Sequence, residues 1–292
     1  MLSLSSLAEI EQKFGAEIHA PIAAFEIGGR AFDFDAEPAI MGVINLSHDS
    51  WYRESISLTT ESAVARGRKL AAEGADIVDL GAEATMAETA TVNAAAQIAV
   101  LVPVIEGLRA EGILVSAETY SPTVVKACLS AGANVLNLTG REHESEIFQL
   151  AAAYDATIIM CYVQGTNIRE VRDFSNGIDF TERMLEHFAT RIEAAETAGV
   201  TRVFIDPLVS SPRGGQERLE HQVLTLLTSF RLRGLGYPVC KALLAGYEYF
   251  EEQYRDIETF FAVLAALGRT NLYRTHEVPK VRAVLRTIQA LP

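Results

Sequence analysis

Apolar residues come along this chain in short unbroken runs, and most of those runs close on an acid or an amide. The first is Ile40-Met41-Gly42-Val43-Ile44-Asn45, leading into Leu46-Ser47-His48-Asp49-Ser50-Trp51. Others are Ala75-Asp76-Ile77-Val78-Asp79-Leu80-Gly81, Val115-Ser116-Ala117-Glu118-Thr119, Val135-Leu136-Asn137-Leu138-Thr139-Gly140 and Val203-Phe204-Ile205-Asp206-Pro207. A continuous apolar run of this length reads as a strand buried on both faces, as in a parallel sheet. Strands fall near 39–45, 76–80, 113–118, 134–138, 156–162, 202–206, 237–241 and 270–275. Helical periodicity fills the intervals: Glu61–Glu73, Ala94–Ala110, Pro122–Ala131, Glu144–Tyr154, Phe180–Ala198, Glu217–Arg233, Tyr247–Leu267 and Pro279–Leu291. Gly74, Gly112, Gly132, Gly199 and Gly268 sit just past helix ends, where a left-handed residue is expected. About eight strand–helix units in alternation predict an α/β protein built as a (β/α)8 TIM barrel.

Residues 1–36 follow a different rule. An amphipathic stretch near Leu7–Phe14 precedes Ala24-Phe25-Glu26-Ile27-Gly28-Gly29-Arg30-Ala31-Phe32-Asp33-Phe34, where alternation around Gly-Gly predicts a β-hairpin. Placed before the first barrel strand, it would plug the barrel bottom. Residues 37–292 then form the barrel as one compact domain. A barrel of this kind typically needs ~250 residues, and the chain has 292, of which 49% are hydrophobic. The net charge of −13 argues against a nucleic-acid partner, because phosphate neutralisation needs clustered Lys and Arg. Cys128, Cys161 and Cys240 share no metal or redox spacing, so they read as buried thiols of a cytoplasmic protein. No secretory h-region or bilayer-length apolar stretch is seen, and no membrane partner is expected.

Barrel active sites gather at the carboxyl ends of the strands. The candidates there are Asn45, Asp49, Asp79, Glu83, Glu118, Asn137, Gln164, Asp206, Lys241, Arg274 and His276. Several acids and amides around a small volume suit a flat heterocycle with alternating donors and acceptors. Plainer roles exist for some of them. Asp79 could cap a turn, Asp206 before Pro207 could form an Asx-turn, and Lys241 could simply pair with Asp206. His48 reads as a solvated loop residue.

In order along the chain, these modules closely resemble the dihydropteroate synthase family of pterin-binding barrels. The residues that carry the resemblance are Met41-Gly42-Val43-Ile44-Asn45 with Asp49-Ser50-Trp51, and Gly74-Ala75-Asp76-Ile77-Val78-Asp79-Leu80-Gly81-Ala82-Glu83-Ala84-Thr85. Ser116-Ala117-Glu118-Thr119-Tyr120, Ala131-Gly132-Ala133 with Asn137, Asp206-Pro207 and Arg274-Thr275-His276-Glu277-Val278 complete the set. The resemblance implies a pterin slot lined by Asp79, Glu118, Asn137, Asp206 and Lys241. It implies an anion site at Asn45, Arg274 and His276 for a pyrophosphate leaving group, with Asn45 on a Mg²⁺ ion, and catalytic roles for Lys241, Arg274 and His276. It further implies a transferase of folate metabolism, a p-aminobenzoate-like acceptor and a homodimer.

Departures fall in the anion and acceptor half. Met86 stands where the family has an arginine, and Leu244-Ala245-Gly246 occupy the place of Ser-Arg-Lys when counted without gaps. A shortened strand would instead bring Cys240-Lys241 into that register. Glu118 replaces an aspartate, and Arg213 is a cation within an altered loop. Three readings therefore stand: a pterin-dependent transferase with an altered anion and acceptor site, a pterin- or folate-binding barrel without the synthase reaction, and a methyltetrahydrofolate-type methyltransferase.

Overall fold

In the computed structural model, residues 2–47, 49–50, 52–84, 91–163, 165–169, 180–207, 215–243 and 247–290 are described. An N-terminal helix α1 (Leu4–Ile18) is followed by the hairpin β1 (Phe25–Ile27) and β2 (Arg30–Phe32). Eight parallel strands follow: β3 (Ala39–Asn45), β4 (Ile77–Gly81), β5 (Leu114–Glu118), β6 (Val135–Leu138), β7 (Thr157–Cys161), β8 (Val203–Asp206), β9 (Cys240–Ala242) and β10 (Leu272–Thr275). They run in the order β8-β7-β6-β5-β4-β3-β10-β9. The two ends of that sheet meet at a bridge between Ile205 and Val239, and the Ile205 N–H donates to the Pro238 carbonyl at 2.9 Å. The barrel is nearly closed.

Helices surround it: α2 (Thr60–Glu73), α3 (Ala94–Arg109), α4 (Pro122–Ser130), α5 (Glu144–Ala153), α6 (Phe180–Thr197), α7 (Gly215–Thr228), α8 (Tyr247–Phe250), α9 (Ile257–Leu267) and α10 (Val278–Gln289). Strand residues alternate between two environments, as period two requires. Val78, Leu80, Val115, Ala117, Leu136, Leu138, Ile158 and Met160 pack outward among helix residues. Met41, Ile77, Leu114, Val135, Ile159, Phe204, Cys240 and Leu272 form a separate interior cluster with Ile27, Phe32 and Phe34. The hairpin thus plugs the bottom as expected, with Phe25 and Phe34 set edge-on to Phe204 at 5.3 and 4.9 Å. Gly28 and Gly29 both have positive φ, which a two-residue hairpin turn of this hand demands. All three cysteines are buried free thiols. Among the described residues, no helix is long and apolar enough to cross a membrane.

Three local expectations need correction. The helix expected over Glu217–Arg233 ends at Thr228 and continues as a tighter 3₁₀ segment, Ser229–Leu235. There the Ser229 hydroxyl lies against the Leu226 and Gly268 carbonyls, and buried Arg233 donates to Ala20 O and Asp35. The helix expected over Tyr247–Leu267 is interrupted by the 3₁₀ segment Glu251–Asp256, whose Tyr254 and Arg255 reach Glu54 and Glu277. Long-range bonds overrode local periodicity in both places. Gly268 is not left-handed (φ −81°), and Arg269 takes that conformation instead (φ 57°). Glycine is needed for a different reason: a Cβ there would lie 1.7 Å from the Leu226 carbonyl oxygen.

Candidate functional site

Two residues along from the apolar interior layer, the barrel interior changes from hydrocarbon to charge. Ile77 is followed by Asp79, Leu114 by Ser116, Val135 by Asn137, Ile159 by Cys161, Phe204 by Asp206 and Leu272 by Arg274. All but Arg274 are fully buried, and Arg274 is only 15% exposed. Glu118 and Asn45 stand one further step up, at the ends of β5 and β3.

Asp79, Asn137, Cys161, Asp206, Arg274 and Glu118 form one connected network. Asn137 Nδ2 donates to Asp79 Oδ2 at 3.2 Å, and the same oxygen accepts from Arg274 Nε at 2.7 Å. Arg274 Nη2 reaches Glu118 Oε2 at 2.5 Å. The Cys161 thiol faces Asn137 Oδ1 (3.5 Å) and Asp206 Oδ2 (3.8 Å). Lys241 on β9 is buried and donates to the Pro207 carbonyl at 2.9 Å. Three buried acceptors, Asp79 Oδ1, Asp206 Oδ1 and Ser116 Oγ, have no hydrogen-bond partner among the described residues. Buried carboxylate oxygens are costly unless something donates to them. Neither aspartate is therefore a turn cap: both point into the barrel.

Burial pushes the Asp206 carboxyl up to about 6, against the pull of Lys241 and Arg274. It pushes Glu118 up to about 7, with Arg274 opposing and Asp79, Asp206 and Glu83 adding to the rise. Burial also lowers the Lys241 ammonium, with Asp206 resisting. Two of the interior carboxyls, Asp206 and Glu118, thus hold their protons more firmly than usual.

Above this layer His276 stacks on Tyr52, with ring centroids 4.2 Å apart and planes 11° apart. Its Nδ1 lies 2.8 Å from Glu258 Oε1 and its Nε2 lies 3.5 Å from Asn45 Nδ2. Arg274 and His276, expected to share an anion, therefore have different neighbours: carboxylates in the slot for one, the rim for the other. Glu83 is taken up at the mouth by Tyr120 Oη (3.0 Å), the Val92 N–H (2.8 Å) and Arg169 (3.3 Å). Asp49 is exposed in a turn. Gln164, His48, Met86, Arg213 and 244–246 lie outside the described residues. Glu258 and Tyr52 were not singled out from the sequence, and Glu277 entered only as part of the closing motif with Arg274 and His276. One signal was available for Glu258: it is an acid one residue from Ile257 and three from Phe261, on the apolar side of α9.

The model of the pterin binding enzyme family matches residues 41–245. A dihydropteroate synthase of Streptococcus pyogenes is 30% identical over 275 residues, covering 89% of this chain and 98% of that protein. The chain belongs to the pterin-binding enzyme family. Solved family structures agree in fold. The dihydropteroate synthase of Xanthomonas albilineans with 4-aminobenzoic acid superposes with a TM-score of 0.78 at 28% identity, covering 92% of this chain and 99% of that one. That of Thermus thermophilus in complex with 6HMPPP gives 0.74 at 27% identity, covering 92% and 100%. The family match spans β3 to β9, and so takes in every member of the polar layer except Arg274, which lies beyond it on β10.

Proposed function

We propose that this chain is a pterin-dependent transferase that binds its pterin in the polar layer of the barrel. The observation that carries the reading is the pair of buried aspartate oxygens, Asp79 Oδ1 and Asp206 Oδ1, that lack a donor while Asn137 stands in the same layer. The amino-pyrimidine edge of a pterin supplies a row of N–H donors to such acceptors. Glu118 and Lys241 would hold the remainder of the ring, and the rim at Asn45 and His276 would face the pyrophosphate of an activated pterin. In the reaction, the amine nitrogen of a p-aminobenzoate-like acceptor attacks the pterin methylene carbon. The carbon–oxygen bond to pyrophosphate breaks, pyrophosphate leaves with the electron pair, and the attacking nitrogen gives up a proton.

A divalent ion at Asn45 fits in one form. Among the described residues no cluster of three acids, histidines or cysteines could hold a metal. Mg²⁺, however, is commonly held by one or two protein oxygens together with substrate phosphates. Asn45 Oδ1 is such an oxygen and lies on the Gly81 and Glu118 side of its side chain. When bound there, Mg²⁺ would neutralise charge on the leaving pyrophosphate.

One observation favours a second reading, a pterin-binding barrel without this chemistry. The Arg274 guanidinium, the cation expected at the leaving group, is bonded to Asp79 and Glu118. Incubation with hydroxymethyl-dihydropterin pyrophosphate, p-aminobenzoate and Mg²⁺ separates the two. Dihydropteroate and pyrophosphate in equal amounts are expected, and neither product despite intact pterin binding would replace the transferase with the second reading.

A pH dependence follows. Asp206, raised to about 6, is protonated more readily in the folded chain than in the unfolded one. Ionising it therefore costs folded-state stability as pH rises from the unfolded value through about 6. A ligand that donates to the carboxylate favours the ionised form, so pterin affinity should be full above that point. Below it the dissociation constant should rise about tenfold per pH unit. Titration calorimetry across this range checks the trend, and a flat profile contradicts the role given to Asp206.

We also propose a homodimer. Phe260, Val263 and Leu267 form an exposed apolar stripe on α9, with exposed Leu224 on neighbouring α7. A second copy would cover these side chains. Light scattering should give twice the mass of one chain, and Phe260→Lys with Leu267→Lys should return it to one.

A further inference from the structure

Helix α9 carries one carboxylate on its buried face, and that carboxylate organises the rim. Glu258 is fully buried. Its Oε2 accepts from the Thr275 hydroxyl, from the His276 N–H at 2.9 Å and from the Glu277 N–H at 3.1 Å. Burial pushes its carboxyl upward, but His276 and Thr275 outweigh that and hold it below the ordinary range. An ionised carboxylate can only accept, so the His276 nitrogen facing Oε1 at 2.8 Å, Nδ1, carries a proton. In a neutral imidazole the other nitrogen is then an acceptor.

The chain of bonds continues inward. His276 Nε2 faces the Asn45 amide nitrogen at 3.5 Å. That nitrogen also donates to Ser55 Oγ, whose own hydroxyl is given to the Tyr52 carbonyl at 2.7 Å. With its donors turned to Ser55 and His276, Asn45 has its oxygen on the opposite side. A Cβ on Gly81 would lie 3.8 Å from Asn45 Oδ1 and 3.5 Å from Glu118 Oε2, so both oxygens front the same glycine at the slot. The two ends of an asparagine amide differ little in shape. Hydrogen bonds alone decide which one faces a ligand.

We propose that Glu258 is a positioning residue: by fixing the tautomer of His276, it makes that ring act together with Ser55 in turning the Asn45 oxygen rather than the Asn45 nitrogen toward the slot. The consequence for ligand binding rests on the reading that this rim receives pyrophosphate; the tautomer itself does not. An oxygen there serves a phosphate-bound cation, whereas a turned amide would present N–H groups and exclude it.

Glu258→Gln reverses the chain at its origin. The glutamine oxygen keeps the three donors now held by Oε2, and its NH₂ then faces His276 Nδ1. That nitrogen must accept, the proton moves to Nε2, and Nε2–H meets Asn45 as a donor. Long-range ¹H–¹⁵N spectra of ¹⁵N-histidine protein, at alkaline pH and with His276 assigned by its loss in His276→Gln, read this directly. The wild type should show a proton on Nδ1 and none on Nε2, and Glu258→Gln the reverse. A proton on Nε2 in the wild type overturns the proposal, and so does an unchanged tautomer in folded Glu258→Gln. Should that variant not fold, the wild-type spectrum and Glu258→Asp, which should keep the Nδ1–H form, still decide.

Binding supplies a second readout. Changing the support behind a metal-facing ligand typically costs 10–100-fold in affinity. Glu258→Gln should therefore weaken hydroxymethyl-dihydropterin pyrophosphate with Mg²⁺ by about tenfold, and leave the unphosphorylated pterin unchanged. An equal loss for both ligands would mean general damage and overturn the positioning role. A wild type that binds both ligands equally would instead refute the pyrophosphate reading, with the tautomer result still standing.

Discussion

Asp206→Asn is expected to weaken pterin binding about 100-fold. A hydrogen bond to a charged group contributes roughly 1.5–3 kcal/mol, and each 1.4 kcal/mol is about a factor of ten in affinity. The substitution removes the charge and leaves one acceptor oxygen where there were two, so an NH₂ donor must face either the donor-rich ligand edge or the Cys161 thiol. The loss therefore combines a missing attraction with an unpaired buried donor, near the upper end of that range. Fluorescence titration with a pterin measures it directly. An unchanged dissociation constant in a folded variant would remove Asp206 from the slot. Asp206 Oδ1 is the test atom because it has no other partner among the described residues.

Arg274→Met should be the most destabilising of these single changes. Arg274 is the cation bonded to both Asp79 and Glu118, each of them buried. Burial alone would lower the guanidinium's affinity for its proton, and the two carboxylates reverse that, holding it above the ordinary arginine value. Removing one partner of a buried ionic network costs about 3–5 kcal/mol, because the remaining charges are left uncompensated. For a domain of this size that corresponds to a fall of about 10 °C in Tm. The double variant Arg274→Met with Glu118→Gln should recover part of the loss, since one of the orphaned charges is then gone. A single variant that melts within about 2 °C of the wild type would show that the network contributes little. The same geometry alters what the residue can be asked to do. An arginine held between Asp79 and Glu118 has its guanidinium nitrogens Nε and Nη2 already committed to carboxylates rather than open to an anion.

Much of this architecture was legible in the residues. Strands buried on both faces announce themselves as unbroken apolar runs, and β3 was read with its observed limits, Ala39–Asn45. Alternation along β4 and β5 places Asp79 behind Ile77, and Ser116 and Glu118 behind Leu114, so the polar layer follows once the bottom layer is known. The Gly28-Gly29 turn likewise fixed the plug. What stayed hidden depends on contacts between distant segments. The break at Ser229 is set by Gly268, 39 positions away. The interruption before α9 is set by Glu54 and Glu277. Glu258 sits on a helix whose apolar period gives no sign of a buried carboxylate's partners. Its role appears only once β10 brings Thr275 and His276 alongside. Arg274 was placed by its motif, but the carboxylates that hold it come from β4 and β5, and no spacing in the chain shows that choice.

Thermal stability with two ligands tests the central claim most directly. A ligand that binds only the folded state, present at ~100 times its dissociation constant, adds ~2.7 kcal/mol. Hydroxymethyl-dihydropterin should raise the melting temperature clearly, and its pyrophosphate ester with Mg²⁺ should raise it further at the same concentration. A chain whose melting temperature neither ligand moves would contradict the pterin slot itself.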